Sequence, residues 1–230
     1  MKITSVFSSL LAASGIALAA SSINPAAAIS TTFGFENITT NPPTTVGDSF
    51  VGNFSLDVED LGNNAVRFAF NNSVPNNARI DQVAFGGSAA STLLSNFQIN
   101  VGNVGIVNFQ LDNNPNLPQS GNIANWVSTA FSATRIPGNN NANSVQTSEI
   151  LGVSFTAQGN YQAVINAITN RTLLAGIHVP AFPGGSDSFV NSSTPVPEPI
   201  TMLGLGVGTV GLGALKRKYG KKETQKKVTV

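Results

Sequence analysis

Hydrophobic and polar residues alternate with a period of two along much of the chain. Phe50, Phe54, Leu56 and Val58 fall on one face of an extended segment, with Val51, Asn53, Ser55 and Asp57 opposite. Val66, Phe68 and Phe70 repeat the pattern, with Arg67 and Asn71 turned outward. Such a period marks a half-buried strand, because successive side chains leave a pleated backbone on opposite sides. Further strand segments are read at residues 32–36, 80–85, 97–101, 104–111, 150–156 and 173–179. Turn-forming clusters separate them, at Gly62-Asn63-Asn64 and at residues 71–77, 112–116 and 138–143. Regular short strands with these breaks predict an all-β fold, a two-sheet sandwich of jelly-roll type.

One segment changes period. Tyr161, Val164, Ile165 and Ile168 recur at helical spacing behind Asn160, a good N-cap, and predict a short helix over 161–169 on an open edge or end of the sandwich. Residues 120–135, around Trp126, fit either a strand or a helical turn. Residues 183–195 are polar and rich in glycine and serine, and read as an exposed linker.

Two apolar runs do not alternate at all. The first, Val6 to Ala20, follows Lys2 and leads to Ala26-Ala27-Ala28. This is the layout of a secretory signal peptide over residues 1–28, with Ala26 and Ala28 as the small residues of the cleavage site and a cut near Ala20 as the alternative. The second, Ile200 to Leu215, contains no charged residue. At a rise of about 1.5 Å per residue it gives a helix of about 24 Å, against a hydrocarbon core of about 30 Å. A single transmembrane helix at 200–215 is therefore marginal in length, and snorkelling ends or local bilayer thinning make up the difference. Lys216, Arg217 and Lys218 follow as a membrane-stop cluster, and the positive-inside rule keeps residues 219–230 cytoplasmic. The predicted organisation is thus a signal peptide at 1–28, an ectodomain at 29–182, a linker at 183–195, a sorting signal at 196–218 and a basic tail at 219–230.

Val196-Pro197-Glu198-Pro199, the apolar run and the basic cluster, in that order and behind a signal peptide, resemble the PEP-CTERM sorting tail. The resemblance covers Val196 to about Lys218. It implies that a membrane exosortase recognises the tail and cleaves near the motif, after secretion machinery has exported the body. It also implies release from the cell or attachment to the outer envelope, often alongside exopolysaccharide. The same tail is catalogued as the C-terminal region of ice-binding proteins, a label that concerns the tail alone. Twelve residues follow Lys218, more than is usual for such tails. Within the body, residues 174–179 followed by 184–190 are similar to a recurring ending of cyanobacterial-type PEP-CTERM proteins, a likeness that carries no activity.

Charge divides sharply between body and ends. Residues 29–195 hold four arginines (67, 79, 135 and 171), no lysine, and nine acids, a net of −5. The formal +1 of the whole chain therefore comes from its ends. An acidic body excludes a nucleic-acid partner, which requires clustered Lys and Arg. With no cysteine, stability in an oxidising compartment rests on packing alone.

Candidate chemistry in the body is sparse. His178 is the single histidine; a Ser-His-Asp triad would need it as base, but no G-x-S-x-G elbow is present. One histidine without cysteine also argues against a zinc site. Asp57, Glu59 and Asp60 form the densest acidic cluster, just before Gly62-Asn63-Asn64. Asp57 and Glu59 would stand roughly 6–7 Å apart on one strand face, near a glycosidase spacing, and a Ca²⁺ site using these oxygens fits them better. The calcium-loop pattern is missing, so the simpler reading is a solvated strand end. Sugar-binding modules expose aromatic platforms; here only Trp126 and Tyr161 are available, and Tyr161 belongs to the buried stripe of the predicted helix. The threonine pairs at 31–32, 39–40 and 44–45 do not form the regular array that ice binding requires.

These observations predict a non-catalytic exported protein of the cell surface or extracellular matrix, with no cofactor and no catalytic residue. Its predicted partners are an exosortase, the secretion machinery, the membrane and extracellular polysaccharide. The alternatives are a carbohydrate-binding module for envelope polysaccharide and a glycan-active enzyme using the body carboxylates.

Overall fold

The computed structural model describes residues 29–38, 46–75, 77–138 and 141–197. Within them the chain is all-β and antiparallel. The strands are β1 (Ser30–Asn37), β2 (Phe54–Gly62), β3 (Ala65–Asn72), β4 (Gln82–Gly86), β5 (Leu94–Ile99), β6 (Phe109–Leu111), β7 (Thr129–Arg135), β8 (Ile150–Ala157), β9 (Leu174–Phe182) and β10 (Gly185–Pro195). They form one sheet in the order β5-β8-β3-β2-β1-β10-β9-β4-β7-β6. The sheet curls until its edge strands β5 and β6 meet, giving a nearly closed, flattened barrel.

The expected pair of separate sheets is therefore replaced by a single one, and the reason is local. Residues 183–195, expected to be a linker, form the hairpin turn and β10. This strand lies between β1 and β9 and is bonded to both. Without it, the remaining strands would fall into two groups, β5-β8-β3-β2-β1 and β9-β4-β7-β6. One misassigned strand thus accounts for both differences.

The two halves pack their inner faces together through phenylalanine. Phe68, Phe155 and Phe97 of one half meet Phe85 and Phe131 of the other, with centroid separations of 5.0 Å for Phe68–Phe85, 4.9 Å for Phe85–Phe155 and 5.1 Å for Phe131–Phe155. Edge-to-face pairs of this kind add about 0.5–1.5 kcal/mol each beyond their burial. The register is that of the sequence pattern: Leu56, Val58, Val66, Phe68 and Phe70 are all fully buried. The pattern fails before Phe54, because Asp48–Asn53 is a 3₁₀ turn and Phe50 reaches the core from outside any strand.

Two short helices complete the body, α1 (Ala90–Leu93) and α2 (Tyr161–Thr169). The second has the predicted bounds. Asn160 Oδ1 accepts from the Ala163 amide at 3.0 Å, and Tyr161, Val164, Ile165 and Ile168 are buried in the core. Joining the end of β8 to the start of β9, α2 covers the barrel end at which β1 begins. The Tyr161 hydroxyl lies 2.7 Å from Thr31 Oγ1 and 3.0 Å from the Val58 carbonyl. Residues 120–135 supply both readings open to them, a 3₁₀ turn at Ser120–Asn122 and then β7. The segment leading into β7 folds over the outer face of β4, β9 and β10, where Leu117, Ile123 and Trp126 meet Ala84, Leu174 and Val190 in a second small core.

Candidate sorting site

β10 is built to stay in the sheet despite its polar sequence. Phe189 points inward and is fully buried. Asp187, 1% exposed, accepts from the amides of Ser188 (2.9 Å) and Gly47 (3.1 Å) and from Asn37 Nδ2 (2.8 Å). Beyond the Val190–Gly176 pair, the buried side chain of Asn191 takes over from the ladder, its Oδ1 accepting from the Ala175 amide at 2.7 Å. Buried polar groups that find partners at this rate cost little, whereas each left unpaired would cost about 1–3 kcal/mol.

The end of β10 is held from one side only. Pro195 pairs with Phe33, and the Val196 amide donates to the Thr32 carbonyl at 2.8 Å. Pro195 and Pro197 have no N–H, so Val196 supplies the one backbone donor between them, and the ladder stops there for want of another. Val196 is 46% exposed, and Pro197 is exposed beside it.

Residues 195–218 match the PEP-CTERM protein-sorting motif. The motif marks an exported protein handled by exosortase-dependent, membrane-associated sorting. Its first three residues are the ones just described: the PEP-CTERM segment starts while the chain is still paired to β1. No curated protein and no solved structure matches the chain. The body segments at 174–179 and 184–190 belong to the β9–β10 hairpin, and their likeness to cyanobacterial-type PEP-CTERM proteins gains no support from these comparisons. Among the described residues no helix is long and apolar enough to cross a membrane. Glu198, Pro199, the expected helix at 200–215, the cluster Lys216, Arg217 and Lys218, and the signal-cleavage residues Ala26 and Ala28 lie outside the described residues.

The body candidates are scattered rather than convergent. Asp57 accepts from Thr32 Oγ1 at 2.5 Å and from Asn71 Nδ2 at 2.9 Å. Glu59 forms a two-pronged ion pair with Arg67 Nη1 across the β2–β3 ladder, at 2.9 and 2.8 Å. Asp60 caps the hairpin by accepting from the Gly62 amide at 2.8 Å. The three carboxylates of the calcium candidate thus serve three different partners, and among the described residues no group of three or more His, Asp or Glu converges. His178 stands beside Ser188 on the neighbouring strand, with Nδ1 3.0 Å from Ser188 Oγ. That serine is fully buried, so it offers no accessible nucleophile. Burial pushes the His178 pKa below its ordinary value of 6.5, partly opposed by the charges of Asp81 and Asp187. Trp126 is half-buried, and its indole lies on the backbone of Gly86 and close to Gly176, where a Cβ would collide with it or with Leu117. That ring face is therefore occupied by protein. Tyr161 is buried, as its place in the helical stripe implied.

The buried polar set Asp187, Ser188 and Asn191 escaped the sequence reading because it sits in the segment taken for a linker. A usable signal was present: Phe189-Val190 in the middle of a run containing no proline between 184 and 194.

Proposed function

We infer that the protein is an exported, non-catalytic barrel domain of the cell surface or extracellular matrix, delivered by exosortase processing of its C-terminal tail. The reading rests on the match to the sorting motif over residues 195–218. It is supported by the way β10 presents that segment: the motif leaves the sheet exposed and immediately, with no spacer to be cut instead. The partnered state of every candidate carboxylate, and the burial of Ser188 beside His178, support a body without catalytic work. In this reading the signal peptide is removed, residues 200–215 hold the protein in the membrane until processing, and cleavage frees or transfers a body that keeps β10.

The test is the intact mass of the exported protein in cells with and without an active exosortase. Loss of residues beyond the Pro-Glu-Pro region only when the enzyme is present supports the reading. An unshortened C-terminus in both strains would make the tail a permanent anchor and end it. Alanine replacement of Pro197, Glu198 and Pro199 together should give the unprocessed mass in the enzyme-containing strain.

A further inference from the structure

We propose that the end of the barrel where β1 begins and β10 finishes is a membrane-seating surface, resting on lipid headgroups while the tail is in place. The proposal depends on the preceding reading that residues 200–215 span the membrane, and adds which surface of the body faces the lipid.

Reach makes the first argument. The Val196 amide is bonded to Thr32 at 2.8 Å. Only Pro197, Glu198 and Pro199 separate Val196 from Ile200, the first residue of the apolar run. Four residue steps of at most about 3.6 Å give a tether of about 14 Å at full stretch. The headgroup layer takes roughly 5–8 Å of that on each side of the hydrocarbon core. The barrel end bearing Thr32 and Val196 therefore lies against the interface whenever Ile200 enters it.

Topology makes the second. β1 begins at this same end, with the Ile29 carbonyl accepting from the Asp60 amide at 2.8 Å. The β2–β3 hairpin and α2 lie here as well, so the chain entering the body and the chain leaving it do so side by side. Three of the seven exposed large apolar residues among the described residues, Ile29 (62%), Leu61 (47%) and Val196 (46%), are on this end.

Charge makes the third. Neither α1 nor α2 contains a charged residue, and the outer side of α2 shows Gln162 and Asn166. Of the acids near this end, Glu59 is neutralised by Arg67, while Asp57 accepts from Thr32 and Asn71 and Asp60 from the Gly62 amide. The acids Asp48, Asp81, Glu149 and Asp187 all precede or lie at the far ends of their strands. The helices that cover this end thus bring no charge to the bilayer, and the three acids beside them are each held by a protein partner.

The absence of cysteine makes the test direct. The full chain, carrying Leu61→Cys, Gln162→Cys or Asn77→Cys singly and labelled with a fluorophore, would be reconstituted into vesicles of phosphatidylcholine and phosphatidylglycerol containing a headgroup-linked quencher. Asn77 is exposed beside the β9–β10 turn, at the far end. Quenching several-fold stronger at 61 and 162 than at 77, in protein that floats with the vesicles, is the expected result. Flotation with equal quenching at all three positions, or stronger quenching at 77, overturns the seating surface and leaves the span intact. Failure to float overturns the span and the seating together. Because the vesicles contain no other protein, a surface that binds exosortase rather than lipid would give flotation without the quenching difference.

Discussion

The side-chain amide of Asn100 closes the barrel by pairing with the backbone of Phe109, as a neighbouring strand would. Its Oδ1 accepts from the Phe109 amide at 3.0 Å and its Nδ2 donates to the Phe109 carbonyl at 2.8 Å. Asn100 follows β5 and Phe109 opens β6, the two edges of the sheet. Asn103 braces the contact, donating to Asn100 Oδ1 at 3.0 Å and to the Val107 carbonyl at 2.9 Å.

Removing that amide should therefore open the seam. Asn100→Ala is expected to lower stability by about 2–3 kcal/mol, from two backbone groups left unpaired and partly buried, read as a shift of the urea midpoint. Asn100 also has φ +64°, so Asn100→Gly, which relieves the backbone, separates the two causes. If glycine restores stability, the seam bond is not what holds the edges. Faster hydrogen exchange at the Phe109 amide in both variants is the accompanying sign.

Arg67 pins a loop to the outside of the barrel. Besides its ion pair with Glu59, its Nε donates to the Val101 carbonyl at 2.8 Å and its Nη2 to that of Gly102 at 2.6 Å. The loop passes close to Gly152, where any Cβ would meet the Val101 carbonyl. Arg67→Ala should cost about 2–4 kcal/mol, since it also strands Glu59. Arg67→Lys should recover only part, because an ammonium lacks the fork that serves carboxylate and carbonyls together. Equal stability of the Lys variant and the parent would remove the geometric argument.

Gly86 leaves room for the Trp126 indole, to which a Cβ would come within 2.6 Å. Gly86→Ala should lift the ring, shifting the emission of the single tryptophan to longer wavelength and costing about 1–3 kcal/mol. Unchanged emission would mean that the second core rests on Leu117 and Ile123 alone.

His178 sets a pH dependence. Its pKa is lowered in the folded protein, chiefly by burial, so the unfolded chain binds the proton more readily and stability rises with pH through that window. The stabilising effect of the neutral imidazole is complete above about pH 6.5 and is lost progressively as the pH falls below it. His178→Asn should flatten the urea stability profile just below pH 6.5. An unaltered slope would assign it to carboxylates instead.

β10 is required for the body to fold. A body ending at residue 197 should fold cooperatively, whereas one ending at 184 should not, because β1 and β9 would then face each other across an empty strand position. Circular dichroism and a thermal melt of the two chains decide it.

What the sequence made legible was whatever rests on local periodicity. The stripe on α2, its Asn160 cap and the alternating phenylalanines of β3 are short-range patterns, and each survives in the fold. Phe50 broke its pattern because a side chain can reach the core from a turn as well as from a strand. β10 was hidden because three of its five buried residues are polar, Asp187, Ser188 and Asn191, whose burial depends on partners at Gly47, Asn37, His178 and Ala175. Asn100 hid its role in a similar way: it fell at the edge of a strand segment, and its partner Phe109, nine residues on, is brought opposite only by the fold. Of the sorting site, the motif itself was plain, and its attachment to β1 was not, since nothing in Val196 announces Thr32.

The position of β10 also fixes an order of events. The strand around which the sheet is joined is the last of the described strands to be synthesised, and the apolar run follows it within five residues. In any delivery that moves the chain N-terminus first, the barrel cannot close until the whole body has crossed and the apolar run stands at the exit. Completion of the fold and arrival of the sorting tail thus coincide, and a chain cut short anywhere before β10 has neither a finished body nor a signal by which to be sorted.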